Sequence, residues 1–497
     1  MCGIAGLSLK KKNSSLFKRF YKIISHLNHR GPDSNGFYKN ENVKLIHTRL
    51  SIVDLHGGAQ PIENEDLVLI ANGEIYNDLV IRKKIKKYSY KTKSDSESIM
   101  AVYKEFGLEG FNKLRGMFSF AIYDQKKNIT ILGRDIFGIK PLYFSTINEG
   151  IIFSSEIQAI KKVNLHKLNI SERQLLEFFQ LQYCSGKKTI FEEIQRVRPG
   201  EVIVIKDGKI NKSIITKLPV KKEQKKVLND NFIFKNLKEC VEVHLRSDVP
   251  YCLFYSGGID STLIMYFIHI LNLSKKICAY TVNFQGNNKS VDESIKNIAK
   301  QFNIEFNQIN FTEEDFWNLL PFAAKNIDEP IADYAILPTF KMAGEASKNF
   351  KVALSGEGGD ELFAGYGRYK SLRSPYKGAF RKLSFLSQKN WDFNLRMSIN
   401  DKSELSKLQT FQYFDFVNWL PNNLLVKLDR CLMTYGMEGR TPLIDKELYS
   451  KFFYIDDKLK QKVMDEGPVE FSVRNYFERS KYPHDFRSEV YKRAFLI

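Results

Sequence analysis

The sequence contains no uninterrupted run of about 18 apolar residues, which excludes a helical membrane span. Its N-terminus, Met1-Cys2-Gly3-Ile4-Ala5-Gly6, lacks the charged, apolar and small-residue regions of a secretory signal. The expected compartment is therefore the cytoplasm, and no membrane partner is expected. Cysteine is scarce: Cys2, Cys184, Cys240, Cys252, Cys278 and Cys431 are scattered over 497 residues. No pair has zinc-ligand spacing, and a chain of this length does not need disulfide staples. Five of the six are expected as small buried apolar groups; Cys2 is the exception. No internal repeat is visible.

The 43% of hydrophobic residues is enough for more than one core, so two domains are expected. A formal charge of +19 invites a nucleic-acid reading. The lysines, however, are spread over residues 10–12, 83–87 and 221–226 rather than gathered into one recognition motif. Such runs are usually solvated faces or linkers, and Asn and Ile are also plentiful, as in a compositional bias. No nucleic-acid partner is expected.

Residues 1–210 read as strand-rich. Residues 114–124 and 128–135 are expected as a strand pair, and residues 151–154 as another strand. Apolar positions run together, which suits strands buried on both faces. Residues 211–230 are polar and basic and form the best linker candidate. Beyond them, Phe234, Leu237, Val241 and Leu245 recur at helical spacing. Expected strands at 251–255, 277–284 and 350–354 alternate with expected helices at 261–271 and 292–302, which argues for a parallel α/β sheet. Residues 365–420 are expected to be helical.

Removal of Met1 before the small Cys2 would leave a thiol and a free α-amine on one residue. Such an amine titrates near pH 7.7–8.0 in peptides and can serve as base for its own side chain. Alone, Cys2 would read as an unimportant terminal residue. It is followed in order by His29-Arg30-Gly31-Pro32-Asp33, Arg49-Leu50-Ser51-Ile52-Val53-Asp54, Asn72-Gly73-Glu74-Ile75-Tyr76-Asn77 and Ser94-Asp95-Ser96-Glu97. Together these resemble the class II glutamine amidotransferase domain over nearly all of residues 2–160. That resemblance implies a four-layer αββα fold of the N-terminal-nucleophile hydrolase type and Cys2 as nucleophile. A thioester-forming attack develops an oxyanion, for which Asn72 and Gly73 supply donors. Glutamine would be bound by Arg49, Leu50, Ser51, Ile52, Val53, Asn72, Gly73, Glu74 and Asp95. Arg49 offers a planar fork for the α-carboxylate, and Glu74 and Asp95 offer acceptors for the α-ammonium. Asn72-Gly73 also reads as a tight hairpin turn. Residues 29–33 are read as a structural loop near the site.

Ser256-Gly257-Gly258-Ile259-Asp260-Ser261 follows an expected strand and opens a helix. Main-chain N–H groups at such a turn bind anions, and glycines let phosphate approach. The Gly-Lys-Ser/Thr ending of a P-loop is missing. The segment resembles the loop of ATP pyrophosphatases, and Ser355-Gly356-Glu357-Gly358-Gly359-Asp360-Glu361 resembles the synthetase signature of asparagine synthetases. The implied ATP and pyrophosphate contacts are Tyr255, Ser256, Gly257, Gly258, Asp260, Ser261, Val282, Ser355 and Gly356. Asp260 and Asp360 are the implied Mg²⁺ ligands, and Glu357 the group beside the acyl-adenylate. Asp328-Glu329-Pro330, Asp429-Arg430 and the segment from Glu438 to Asp445 extend the resemblance. Arg440 reads either as a carboxylate binder or as half of a buried ion pair. After Asp445 the resemblance thins, and Lys492 is the counterpart of a pyrophosphate-binding lysine.

The expected organisation is thus a glutaminase domain at 2–210, a linker at 211–230 and a parallel-sheet ATP-pyrophosphatase domain at 231–497. The expected reaction is ATP-dependent amidation of a carboxylate with ammonia from L-glutamine, L-aspartate being the expected acceptor. A sugar acid of a surface polysaccharide is the alternative acceptor. A non-catalytic glutamine- or nucleotide-binding regulator is the alternative class. A homodimer is an expectation resting on the resemblance alone.

Overall fold

In the strand Gly3–Leu9 every residue is buried, but successive side chains meet different layers. Ala5, Leu7 and Leu9 pack with the helices Ser14–Phe20 and Ile157–Val163. Ile4 packs instead against Val68, Ile70, Ala121 and Leu132 of a second sheet. The second sheet repeats the pattern: Leu67, Leu69 and Ala71 face Ile99, Met100 and Val102 of the helix Glu97–Phe106. Helix, sheet, sheet and helix form four layers, as the resemblance implied. Burial on both faces explains why apolar residues run together here.

This is a computed structural model, and it describes residues 2–11, 13–163, 168–220, 230–284, 293–371, 405–455 and 457. The first sheet runs in the order Ile194–Arg196, Tyr143–Ile147, Gly150–Ser154, Gly3–Leu9, Val43–Arg49, Ser34–Lys39. The second runs Lys209–Ile215, Glu201–Lys206, Ile129–Arg134, Gly116–Asp124, Leu67–Ile75, Ile62–Asn64. All neighbours in both sheets are antiparallel. The expected strand pair after residue 114 is Gly116–Asp124 with Ile129–Arg134.

The stretch read as a linker begins as a strand: Lys209–Ile215 pairs with Glu201–Lys206. It lies on the sheet edge with mostly exposed side chains, so its composition is that of a solvated surface. Residues 221–229 lie outside the described residues.

From Asp230 the helix Asp230–His244 places Leu237 and Val241 in a core that also takes in Leu50, Ile52, Tyr76 and Met117 of the N-terminal half. There a fully parallel sheet runs Glu305–Phe311, Ile277–Phe284, Tyr251–Phe254, Val352–Leu354, Glu438–Arg440. The chain leaves Tyr251–Phe254 to build one side of the sheet and later returns to build the other. Loops after this strand and after Val352–Leu354 therefore flank one crevice at the carboxyl edge, where α/β sheets bind ligands. The helix after the first loop is Ile259–Ile270, two residues earlier than expected, so Asp260 and Ser261 lie in its first turn. Within residues 365–420, the described helices are Gly367–Ser371, Lys407–Phe414 and a π-helical stretch, Asp415–Leu424, that contains Pro421. The wider π turn fits a residue that cannot donate to the α-helical ladder. No described helix is long and apolar enough to cross a membrane.

Phe153 is fully buried between the two sheets, and its ring lies so close over Gly6 that an added Cβ there would come within 2.1 Å. Phe153→Ala should cost about 3–5 kcal/mol. Urea unfolding of the purified chain, followed by a probe in the N-terminal half, should show the lowered midpoint.

Candidate active sites

Cys2 directly precedes the strand Gly3–Leu9 of the first sheet, and Asn72, Gly73 and Glu74 lie in Leu67–Ile75 of the second. The two sheets meet where Cys2 N–H donates to Asn72 Oδ1 at 3.1 Å. That bond commits the amide oxygen. The Asn72 Nδ2 group is buried and has no partner among the described residues. A preorganised, unspent donor beside a thiol is what a developing oxyanion requires. The Asn72-Gly73 turn reading is corrected: both residues sit inside a strand, paired with Ser119 and Phe118. Glycine is needed for another reason. Gly73 has φ of 146°, and a Cβ there would lie 1.9 Å from the Met117 carbonyl oxygen.

Cys2 is only 8% exposed. Burial pushes its thiol above the ordinary value, while the Leu50 main-chain N–H and Arg49 act the other way. Leu50 and Ile52 are buried, Ser51 and Val53 half-buried. Arg49 is buried beside the loop that follows it. Its Nη1 and Nη2 donate to the carbonyls of Leu55 (3.2 Å) and Asp54 (2.6 Å), curling the loop around it. Glu74 and Asp95 are buried side by side. Burial and the Asp95 charge raise Glu74 well above the carboxylate range, and Glu74 Oε1 has no partner among the described residues. Asp95 is raised to about 6 by burial, against an Ile75 N–H bond of 2.6 Å. The nearest cation to this pair is Arg440, whose Nη2 lies 3.5 Å from Glu74 Oε2, and it leaves Oε1 without a partner among the described residues.

The second constellation forms one cleft of about 510 Å³. Its wall includes Tyr255, Ser256, Gly258, Asp260, Ser261 and Val282, together with Ser355, Gly356, Glu357 and Asp360. Gly257, between Ser256 and Gly258, is not part of the wall. The two loops touch: a Cβ on Gly359 would lie 2.2 Å from Asp260 Oδ1, so only glycine permits this approach. Four carboxyl groups converge here. Burial, then Asp360, Glu361 and Glu357, raise Asp260 well above its ordinary range. Burial, then Glu357, push Asp360 to about 6; burial, then Asp360, push Glu361 to about 8. Asp260 Oδ1 is buried without a partner among the described residues. Hard oxygen donors with uncompensated charge fit a divalent cation. Sequence reasoning missed Lys427, whose Nζ lies 3.2 Å from Glu357 and 3.1 Å from Asp333. It also missed Glu361, although that residue directly follows Asp360. Lys492 lies outside the described residues.

Residues 1–215 match the family described as "Glutamine amidotransferase domain", and residues 233–469 match "Asparagine synthase". Asparagine synthetase [glutamine-hydrolyzing] 1 of Bacillus subtilis is 31% identical over 96% of this chain and 84% of its own length. The chain belongs to the glutamine-hydrolysing asparagine synthetase family. Asparagine synthetase B of Escherichia coli is 31% identical over 74% of this chain and 65% of its own. An Arabidopsis thaliana asparagine synthetase is 26% identical over 99% and 78%. The chain is accordingly an amide-forming ligase that uses ATP and glutamine.

In this synthetase the two centres are tied by buried charge. Arg30, fully buried in the N-terminal half, donates two bonds to Asp429, at 2.8 and 2.9 Å, and one to Glu156 at 2.8 Å. Its Nε also holds the Cys2 carbonyl at 3.3 Å. Asp429 lies on the helix Leu425–Met433, which also carries Lys427 to Glu357. Arg430 joins Asp328 at 2.7 Å, and Asp328 accepts the main-chain N–H groups of Ile157 (2.6 Å) and Gln158 (3.2 Å). Glu329 pairs with Arg196 at 2.6 Å. Asp328-Glu329 is thus a clamp on the N-terminal half. Arg440 is the buried ion-pair member of the two readings, 2.5 Å from Glu438 and 3.5 Å from Glu74. Gly73→Ala should depress glutamine-dependent turnover at least a hundredfold, because the strand cannot house the Cβ. Steady-state assays with glutamine and with ammonium chloride would separate this from loss of the whole enzyme.

Proposed function

We propose that the chain converts L-aspartate to L-asparagine, with L-glutamine as nitrogen donor and ATP cleaved to AMP and pyrophosphate. The observation that carries this reading is the helix Leu425–Met433, whose Asp429 and Lys427 reach one centre each, so that both belong to one buried frame.

At the first centre, the Cys2 nitrogen, freed as an amine once Met1 is removed, takes the thiol proton, and the sulfur attacks the glutamine amide. Asn72 Nδ2 and the Gly73 main chain stabilise the oxyanion; Asn72 Oδ1 keeps the nitrogen in place. Ammonia leaves, and water releases glutamate from the thioester. Residues 50–53 line the glutamine site, Arg49 shapes that loop, and Glu74 with Asp95 receives the α-ammonium.

At the second centre, main-chain groups of Tyr255, Ser256 and Gly258, with Ser261, Val282, Ser355 and Gly356, cradle the nucleotide. The acceptor carboxylate attacks the α-phosphorus and pyrophosphate departs. Asp260 and Asp360 would hold Mg²⁺, which when bound neutralises phosphate charge. Ammonia then attacks the acyl carbon of the adenylate and AMP leaves. Glu357, paired with Lys427 and lining the cleft, takes the proton shed by the attacking nitrogen. A water-excluding route between the centres keeps ammonia unprotonated and the adenylate unhydrolysed. Aspartate is supported by the relatives, all asparagine synthetases by description.

Cys2→Ala should abolish glutamine-dependent synthesis, by more than a thousandfold, while ammonia-dependent AMP formation continues. A mutant with intact glutaminase activity would overturn the nucleophile. AMP and pyrophosphate release, measured against a panel of amino and sugar acids with ammonium present, should be fastest with aspartate. A sugar acid turning over faster would replace it as acceptor.

A further inference from the structure

Arg440 is fully buried at the end of the edge strand Glu438–Arg440, and no step of the chemistry above uses it. Its main chain serves the adenylation cleft: the carbonyl accepts the Ser355 N–H at 2.9 Å, at the start of the second nucleotide loop. Its side chain bridges the two halves. Nη2 lies 3.5 Å from Glu74 Oε2, Nε donates to Glu438 at 2.5 Å, and Nη1 donates to the carbonyls of His244 (2.7 Å) and Arg246 (2.5 Å). Those carbonyls begin the loop that joins the helix Asp230–His244 to the strand Tyr251–Phe254. Two residues further on, Asp248 clasps the N-terminal half. Its N–H donates to the Ile52 carbonyl at 2.9 Å, and its carboxylate accepts the Asp54 N–H at 2.8 Å. One guanidinium therefore holds Glu74 directly and steadies the loop that grips residues 52–54.

We propose that the synthetase domain completes the glutamine pocket, with Arg440 as the positioning residue for Glu74 and for the loop at residues 50–54. This rests on the reading that Glu74, Asp95 and residues 50–53 bind glutamine. The electrostatics point the same way. Glu74 is buried beside Asp95 and close to Glu438, all of which drive it toward the neutral form; Arg440 and then Arg246 oppose them. A neutral Glu74 offers an ammonium group a hydrogen bond but no charge. Arg246 is itself drawn to Asp78, 2.8 Å away. Because the Ser355 contact is made by the Arg440 main chain, changing the side chain separates the two duties.

The test uses the full-length enzyme with Arg440→Gln and Arg440→Lys. Glutaminase initial rates are measured over a range of glutamine, and ammonia-dependent AMP formation is measured alongside. Arg440→Gln should raise the KM for glutamine at least tenfold, with glutaminase kcat changed less than threefold. The ratio of glutamine- to ammonia-dependent synthesis at fixed low substrate should fall accordingly. Arg440→Lys, which keeps the charge but cannot hold two carbonyls and Glu74 together, should fall between, with a KM raised about threefold. An unchanged glutamine KM in Arg440→Gln, or parallel loss of both activities, would show a purely structural ion pair and overturn the proposal. If thermal melting shows Arg440→Gln to be unfolded, Arg440→Lys decides, and a wild-type KM there overturns it. Cys2→Ala separates the underlying reading: if that variant keeps its glutaminase, the glutamine site is wrong whatever Arg440 does.

Discussion

The bidentate pair between Arg30 and Asp429 is the constraint on which the rest of this molecule depends. Both side chains are essentially without solvent, and each is distant from the other in sequence. A buried ion pair gains little net stability over a well-packed apolar contact, because both charges must first be desolvated. Breaking it by removing one partner is another matter, since the survivor is left charged in a low-dielectric interior. The pair therefore acts less as glue than as a register. The two halves fit only when Arg30, Glu156, Asp429, Arg430 and Asp328 find their partners together, and in that register the Cys2 carbonyl and the helix Leu425–Met433 share one guanidinium.

The active centres are built on the opposite principle. Glu74 with Asp95, and Asp260 with Asp360 and Glu361, are acidic clusters whose countercharge is incomplete. Burial raises their proton affinity and makes a cation welcome. One cluster lies in the N-terminal half and the other lines the cleft at the parallel sheet. The interface spends its positive charge on structure; the clefts leave negative charge unspent for ligands.

Much of this was legible in the sequence. Alternating strands and helices after residue 250 gave the parallel sheet, and the order of the glycine-rich segments put two nucleotide loops on neighbouring strands. Other features were illegible for physical reasons. Residues 211–215 of the edge strand Lys209–Ile215 read as the start of a linker because their side chains are largely solvated. Asn72-Gly73 read as a turn because that dipeptide is favoured at tight turns, yet here glycine answers a steric demand from Met117 across the sheet. Arg49 donates to the carbonyls of Leu55 and Asp54 in its own loop, a local role that no spacing announced.

By itself the sequence determined which chemistries are present: a thiol at position 2, an amide and a glycine side by side, two glycine-bracketed carboxylates, each announced by local spacing. Only the tertiary structure decided how they are coupled. Lys427 reaches Glu357, Asp429 reaches Arg30 and Arg440 reaches Glu74 across separations of 70 to 399 residues. Local pattern reports what a segment prefers on its own. A buried charge finds its partner only when two domains close around it.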